Sequence, residues 1–209
     1  MFAQGRSEAP ADVEERARRI VETAVELAEQ GGFEAVRLRD VASHAGVAMG
    51  TLYRRFRSKQ DLLIAALELE TRELERRVRQ RPPKGADARE RVAAFFGIAT
   101  RGLIRRPNLA RALLRAAACG EPGLAKQVAA FHDRMEGMVV AALRGKPDPS
   151  GDSELSAECE ISLAHSLTLV WFALLVGWSG GLHGQATVIE EMSDNVELLL
   201  LGARSKQIV

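Results

Sequence analysis

Cysteine is almost absent from this chain, and what little there is excludes two chemistries. Cys119 and Cys159 are the only two, and they lie far apart in different apolar segments. No Cys-x-x-Cys pair and no Cys/His ligand spacing occurs. Neither a disulfide framework nor a structural zinc site is therefore encoded, and both thiols are expected to be reduced and mostly buried. Proline and tyrosine are also scarce, with seven and one among 209 residues. Ala, Leu, Arg and Glu dominate instead, which favours helix over sheet. No stretch alternates apolar and polar residues as a half-buried strand would. Glu8, Asp12, Glu14 and Glu15 occupy the N-terminal region where a signal peptide would carry an apolar run, so a cytoplasmic protein is expected.

Motifs for enzymatic and metal chemistry are missing or incomplete. Gly177-Trp178-Ser179-Gly180-Gly181 has the form Gly-x-Ser-x-Gly. A nucleophile elbow needs a strand before it, then an acid and a histidine later in the chain. Only 28 residues follow Gly181, and the one histidine among them is His183. A helix stop explains these glycines better. No Gly-Lys-Ser/Thr follows them and no His-Glu-x-x-His occurs, so no nucleotide, metal or other cofactor is expected. Glu158, Glu160 and Glu190-Glu191 are read as solvated helix faces rather than acid–base pairs.

Charge is scarce in one long segment. From Ile161 to Ile189 there is no Asp, Glu, Lys or Arg, and Leu167–Trp178 is nearly continuous apolar sequence. A membrane span needs about 20 apolar residues. Ser162, His165, Ser166 and Thr168 interrupt the first half, and the glycine cluster ends the second. A helix buried by its own domain and by a partner subunit is the expectation here, not a membrane span.

The overall charge is only +1, so the whole chain is not a basic nucleic-acid binder. Its distribution is uneven. Between Arg37 and Lys59 there are six cations (Arg37, Arg39, Arg54, Arg55, Arg57, Lys59) and one anion (Asp40), a local charge of +5. Such a patch is a footprint for phosphate, or else a solvated arginine-rich face.

Periodicity predicts an all-α chain of about nine helices. A tail to about Pro10 is expected to be disordered. A first helix carries Ala17, Ile20, Ala24, Leu27 and Ala28 on one face and stops at Gly31-Gly32. Phe33–Arg37 connects it to a second, Leu38–Ala45. Gly46 supplies a turn, and Ala48–Phe56 forms a third. Ser58-Lys59-Gln60-Asp61 is a capping box that opens a long fourth helix. Pro82-Pro83 and Gly85 mark a boundary. Five more helices follow: Asp87 to about Arg106, Pro107 to about Ala118, Glu121 or Pro122 to about Arg144, Glu154–Trp178 and Gln185–Leu201. Lys146–Ser153 is a loop between the seventh and eighth. The expected division is a tail at 1–10, an N-terminal helical unit at 11–57, a linking helix at 58–80 and a larger helical body at 81–209.

The second and third helices carry the functional signal. Two short helices crossing over a glycine turn form a helix-turn-helix. Ala42 and Ala45 are small enough for close approach, and Val47, Leu52 and Phe56 anchor the third helix from beneath. Its other face then displays Met49, Thr51, Tyr53, Arg54 and Arg55, at a length that fits the DNA major groove. Arg37, Arg39 and Ala48 complete the expected DNA face. Lys59, in the first turn of the fourth helix, can join its amides in holding a phosphate.

The run from Val41 to Leu63, with Ala-Gly-Val at 45–47, Gly-Thr-Leu-Tyr at 50–53, Phe-x-Ser-Lys at 56–59 and Asp-Leu-Leu at 61–63, resembles the TetR family of bacterial regulators; Gly-Gly-Phe-Glu-Ala at 31–35 matches as well. Arg105-Arg106-Pro107-Asn108 and the tryptophans of the penultimate helix further resemble the branch that controls sterol and lipid catabolism in actinobacteria. The resemblance implies an all-α homodimer on a partly palindromic operator. Three helices would bind DNA, the fourth would lead to a ligand-binding body, and the last two would pair across the dimer. Most members repress and release DNA when a small molecule binds. By position, Tyr53 and Lys59 would contact phosphates, Thr51 a base or phosphate, and Arg54 either. Arg37 departs from the Ser or Thr cap of many relatives, and Ala48-Met49 from their Ser-Lys. Met49 is left to touch a thymine methyl.

The expected effector is hydrophobic or amphipathic. Phe95, Phe96, Leu103, Phe131 and Met135 could line an apolar cavity with Met138, Trp171, Phe172, Leu175 and Trp178. Such residues at helical spacing also simply fill cores. His132 and His165 are either hydrogen-bonding partners of the ligand or ordinary satisfied or surface histidines. The alternatives to a regulator are a helical interaction protein without DNA binding and a hydrolase using Gly177–Gly181.

Overall fold

Short polar side chains mark where helices begin. The Ser58 hydroxyl accepts from the Asp61 amide at 3.0 Å, and Asp61 reaches back to accept from the Arg57 amide at 2.9 Å. Asp87 accepts from the Glu90 amide at 2.8 Å, and Glu90 in turn accepts from the Ala86 amide at 2.8 Å. Ser156 accepts from the Cys159 amide at 3.3 Å. Each cap satisfies an amide that the helix cannot, a contribution of about 1 kcal/mol. The capping box sits at Ser58 as expected, but Asp61 closes on Arg57 rather than on Ser58 itself.

The computed structural model describes residues 10–145 and 155–206. Among these residues there are nine α-helices, one short 3-10 turn (Pro122–Leu124) and no strand. The helices are α1 (Pro10–Ala35), α2 (Leu38–His44), α3 (Met49–Arg55), α4 (Lys59–Gln80), α5 (Ala88–Ile104), α6 (Pro107–Ala118), α7 (Ala125–Arg144), α8 (Ala157–Ser179) and α9 (Gln185–Lys206). The tail at 1–9 and the loop at 146–153 lie outside the described residues.

Two boundaries differ from expectation for clear reasons. α1 does not simply stop at Gly31-Gly32. Gly31 (φ −141°) and Gly32 (φ 67°) break its axis, and one more turn follows to Ala35. The kink redirects Phe33 and Glu34. α9 runs past Leu201 to Lys206, because Val188, Met192, Val196, Leu200 and Ala203 continue one buried stripe.

The core is one continuous cluster. Ile20, Ala24 and Ala28 of α1 meet Leu62, Leu63 and Ala66 of α4. α6 lies against α1, α4 and α8, while α5 lies against α7 and α9. Arg91 of α5 ties the end of α7 down by donating to the carbonyls of Ala142 (2.9 Å) and Leu143 (2.6 Å). α8 is long and apolar enough to cross a membrane by length and composition. Here its Leu163, Leu167, Trp171, Leu175 and Trp178 are buried in the helical body.

Two sequence expectations are corrected. Glu160 is not a solvated face. It is 1% exposed and pairs with Arg144 at the end of α7. A buried carboxylate needs such a partner to remain charged. Cys119 is not buried but exposed at the end of α6, where the chain turns outward; Cys159 is half-buried, and both are free.

Candidate DNA-binding surface and effector cavity

α2 and α3 are each seven residues, too short to hold themselves as isolated helices. Burial does it instead. Val41, Ala42, Leu52 and Phe56 are buried beneath them. Full burial of a Leu or Phe contributes roughly 1.5–3 kcal/mol. Gly46, at φ 65°, makes the turn, with the Val47 amide donating to the Ala42 carbonyl at 2.9 Å. A residue with a side chain is disfavoured in this left-handed region.

What α3 leaves outward is cationic and polar. Tyr53 is 51% exposed, and Arg54 and Arg55 are exposed beside it. Thr51 is half-buried and its hydroxyl accepts from Arg54 Nη2 at 3.3 Å. Arg37, Arg39 and Ala48 are exposed on the same module. Arg37 precedes α2 in extended conformation and gives no side-chain cap. Met49 is placed differently from the expectation of a displayed residue. It is half-buried and packs against the core.

Lys59 points its ammonium inward. It donates to the Phe33 carbonyl at 3.0 Å, lies 3.6 Å from Glu34 and sits 4.3 Å from the centroid of the Phe33 ring. Arg115 of α6 approaches the same corner, 2.8 Å from Glu34 and 4.1 Å from the Phe33 ring centroid. The two guanidinium and ammonium groups hold the Glu34 carboxyl below its ordinary range, Arg115 contributing most. Lys59 is thus first a brace between α4 and the kinked end of α1.

The same end of α1 is tied to α6 twice more. Asn108 donates to the Glu29 carbonyl at 3.1 Å, and Arg106 lies between Glu70 of α4 and Glu29 of α1. Sequence reasoning named Arg106 and Asn108 only as part of a family likeness and gave them no partners. Their partners are 36 to 81 residues away in the chain, so no local pattern pairs them.

A small, half-open cavity of about 60 Å³ lies between α4, α5, α6, α7 and α8. Six of the expected lining residues face it: Leu103, Phe131, Met135, Trp171, Phe172 and Leu175. Leu113, Leu114 and Ala117 of α6, Gly102 of α5, and Glu70, Thr71 and Arg77 of α4 complete much of the wall. Sequence reasoning named none of these α6 and α4 residues. Phe95, Phe96 and Trp178 stand behind the wall. Phe96 is buried between Phe95 and Trp171 (centroids 5.1 and 5.9 Å), and Trp178 is covered by Arg111 at 4.9 Å. Trp171 donates its indole N–H to the buried Thr100 hydroxyl at 2.9 Å.

Met138 faces elsewhere, into an open groove of about 490 Å³ between the end of α4 and α7. The Arg134–Glu75 pair crosses that groove. The groove is larger, but the smaller cavity is bounded by more helices. Its wall includes both α4 and α6, the two helices braced against the end of α1. His165 is exposed and bonded to Glu136 at 2.8 Å. His132 is half-buried between Phe131 and Phe172, its Nδ1 has no partner, and burial lowers its pKa.

The serine of the Gly-x-Ser-x-Gly run ends α8. Its hydroxyl donates to the Val176 carbonyl at 2.8 Å, and His183 packs on Gly177 while bonding the Leu174 carbonyl at 2.8 Å. This is a helix terminus; the strand that an elbow requires is absent among the described residues.

A cationic helix-turn-helix joined through one long helix to an all-α body with an internal cavity defines a class: DNA-binding regulators governed by small molecules. Comparison with known proteins places the chain within it. Residues 20–66 match the family model for bacterial regulatory proteins of the tetR family, and residues 85–199 match the tetracyclin repressor-like C-terminal domain. The chain belongs to the TetR family. It is 33% identical over 186 residues to the HTH-type transcriptional repressor KstR of Rhodococcus jostii, covering 89% of this chain and 83% of that one. The KstR of Mycobacterium tuberculosis is 31% identical over 189 residues, 90% of this chain and 81% of the relative. The crystal structure of a TetR transcriptional regulator from Rhodococcus sp. RHA1 superposes with a TM-score of 0.76 at 26% identity, over 90% of this chain and 96% of that one. The fold is shared with FadR from Bacillus subtilis, solved in complex with stearoyl-CoA (TM-score 0.59, 19% identity, 87% and 96% covered).

Proposed function

We propose that this protein is a cytoplasmic repressor that binds a partly palindromic duplex operator as a homodimer and leaves it when an apolar or amphipathic small molecule enters the cavity between α4, α5, α6, α7 and α8. The observation that carries this is the physical connection between the two ends. α6 lines the cavity with Leu113, Leu114 and Ala117, and the same helix holds the end of α1 through Arg115. The cavity of about 60 Å³ is far below the 300–1,000 Å³ of a typical ligand site. Filling it requires α6 or α4 to move. Either helix then carries the Phe33–Glu34 corner with it and re-aims α3.

Residues 11–57 serve as the DNA-binding unit, 58–80 as the link and 81–209 as the effector and dimer body. Tyr53, Arg54, Arg55 and Thr51 approach the groove and its phosphates, and Arg37, Arg39 and Ala48 flank them. Met49 presents only part of its side chain to a base. The third hydrogen of the Lys59 ammonium remains for a phosphate while the others hold Phe33 and Glu34. The dimer forms through α8 and α9. Ile161 (59%), Leu198 (67%) and Leu201 (55%) are unusually exposed for large apolar side chains, and a patch of this kind marks an interface. A mainly apolar wall with Glu70, Thr71 and Arg77 along α4 suits an amphipathic effector.

The test is selection of duplexes from a random pool by the purified full chain, followed by footprinting. A protected site with two half-sites about one turn apart, roughly 34–36 Å, is the expected result. Selection that enriches no sequence would sink the proposal.

A further inference from the structure

Leu67, Glu70, Thr71, Leu74 and Arg77 of α4 border the cavity between α4, α5, α6, α7 and α8. They recur every three or four positions, so they share one face of the helix. Leu67 and Thr71 are buried and Leu74 is half-buried. One turn on, where an apolar side chain would close the wall, the chain carries Arg77. Among the described residues that border the cavity, Arg77 alone is exposed, which places the mouth at this end of α4. Its stem can lie along the apolar wall while its guanidinium stays in water. On α5, Gly102 leaves the cavity room, since a β-carbon there would meet no atom within 4 Å. The nearby acids occupy the guanidinium only in part. Glu70 is taken by Arg106. Glu73 is held at both oxygens by Arg76, at 2.8 Å (Nε to Oε2) and 2.7 Å (Nη2 to Oε1), and Arg77 adds only its Nε at 3.1 Å. The hydrogen bonds from Arg76 above all hold the Glu73 carboxyl down to about 2. One carboxylate thus faces two cations, and Nη1 and Nη2 of Arg77 have no partner among the described residues.

We infer that Arg77 receives the anionic head group, a carboxylate or a phosphate, of an amphipathic effector whose apolar part enters the cavity. Nη1 and Nη2 present two donors to two oxygens of the head, the bidentate geometry that a guanidinium favours. The apolar part lies against Leu74, Gly102, Leu103 and Trp171. A cationic head finds no equivalent, because Glu70, the only acid among the described residues of the wall, is already paired with Arg106. The inference rests on the cavity as the effector site proposed above. It adds the sign of the head group and the residue that reads it, and it puts that contact on α4, the helix that leads to the DNA-binding unit.

The test titrates the purified full chain with decanoate, decyl phosphate, decanol and decylamine, each below its micelle concentration, and reads tryptophan fluorescence, since Trp171 lines the cavity. The anions should bind about tenfold tighter than decanol, the gain of a charge-assisted bond discounted for an exposed site, and decylamine no tighter than decanol. Arg77→Ala removes the advantage of the anions and leaves the affinity for decanol unchanged. Arg77→Lys keeps most of it. Arg72→Ala, which removes an exposed cation of α4 paired with Glu68, keeps all of it. Tighter binding of decanoate assigns a carboxylate head and of decyl phosphate a phosphate head, and either supports the inference. The melting temperature of each variant controls for folding. Equal binding of decanol and the anions, tighter binding of decylamine, or an anion advantage that survives Arg77→Ala or falls equally in Arg72→Ala overturns Arg77 as the head-group contact while leaving the cavity as the effector site. Gly102→Leu fills the cavity and should weaken all four ligands. Unchanged binding in folded Gly102→Leu, or no binding of any of the four by the wild type, overturns the cavity itself and both readings with it.

Discussion

Replacing Gly50 by alanine should make the protein more stable and worse at its task. Gly50 lies exposed in the first turns of α3, and its φ is not positive. A β-carbon built on it meets no atom of the chain within 4 Å. Nothing inside the protein therefore asks for glycine there. In a helix glycine is less favourable than alanine by up to about 1 kcal/mol. For a chain of this size that gain raises the melting temperature by at most roughly 2–4 °C. On the DNA side the docking proposed for α3 reverses the sign, because Gly50 lies exposed on that helix. A methyl forced into a close contact costs about 1–3 kcal/mol, which is between about fivefold and 150-fold in affinity. Thermal melting and duplex titration of Gly50→Ala read the two effects separately. Gly46→Ala is the contrast: it too has open space, but its φ of 65° makes any side chain strained, so its melting temperature should fall. A lower melting temperature for Gly50→Ala, or an unchanged DNA affinity, would refute the reasoning.

Arg115→Ala removes both contacts from α6 to the Phe33–Glu34 corner. Amide exchange in residues 31–36 should quicken while α8 and α9 keep their protection; uniform exchange would show that the corner is held by packing alone. Leu198→Glu combined with Leu201→Glu places charges on the exposed α9 face, and sedimentation should then show a folded monomer; an intact dimer would put the interface elsewhere. Burial is the main cause that lowers the pKa of His132, with Glu136 and Asp133 opposing and His165 adding to it. A base whose pKa falls on folding stabilises the native state above its unfolded value, near 6.5, and that stability is lost as pH drops through the window below it. His132→Phe should flatten this part of the stability–pH curve, and an unchanged curve would mean that the ring is effectively solvated.

Much of the fold was legible because it is written locally. The stripes of α1 and α4, the caps at Ser58 and Asp87 and the turn at Gly46 are all short-range signals. The helix-turn-helix and the outward display of Tyr53, Arg54 and Arg55 were legible for the same reason; Met49 differs because its flexible side chain folds back onto the core. The cavity was harder. Leu103, Phe131, Met135, Trp171 and Leu175 face it, but Phe96 and Trp178 have the same chemistry and the same spacing and stand behind it. Which flank of an all-apolar helix meets empty space depends on five helices at once. The charged connections Arg106–Glu70, Arg115–Glu34 and Arg144–Glu160 were invisible for a similar reason. Each joins residues from different helices, and only the packed chain brings them together.

The small size of the cavity has a consequence in time. On the proposed reading, an effector larger than about 60 Å³ must wait for α4 or α6 to give way. Association limited by such opening is slower than the usual 10⁵–10⁷ M⁻¹s⁻¹. A regulator that works this way would answer a sustained supply of its effector more fully than a brief pulse, a filter on duration as well as on chemistry.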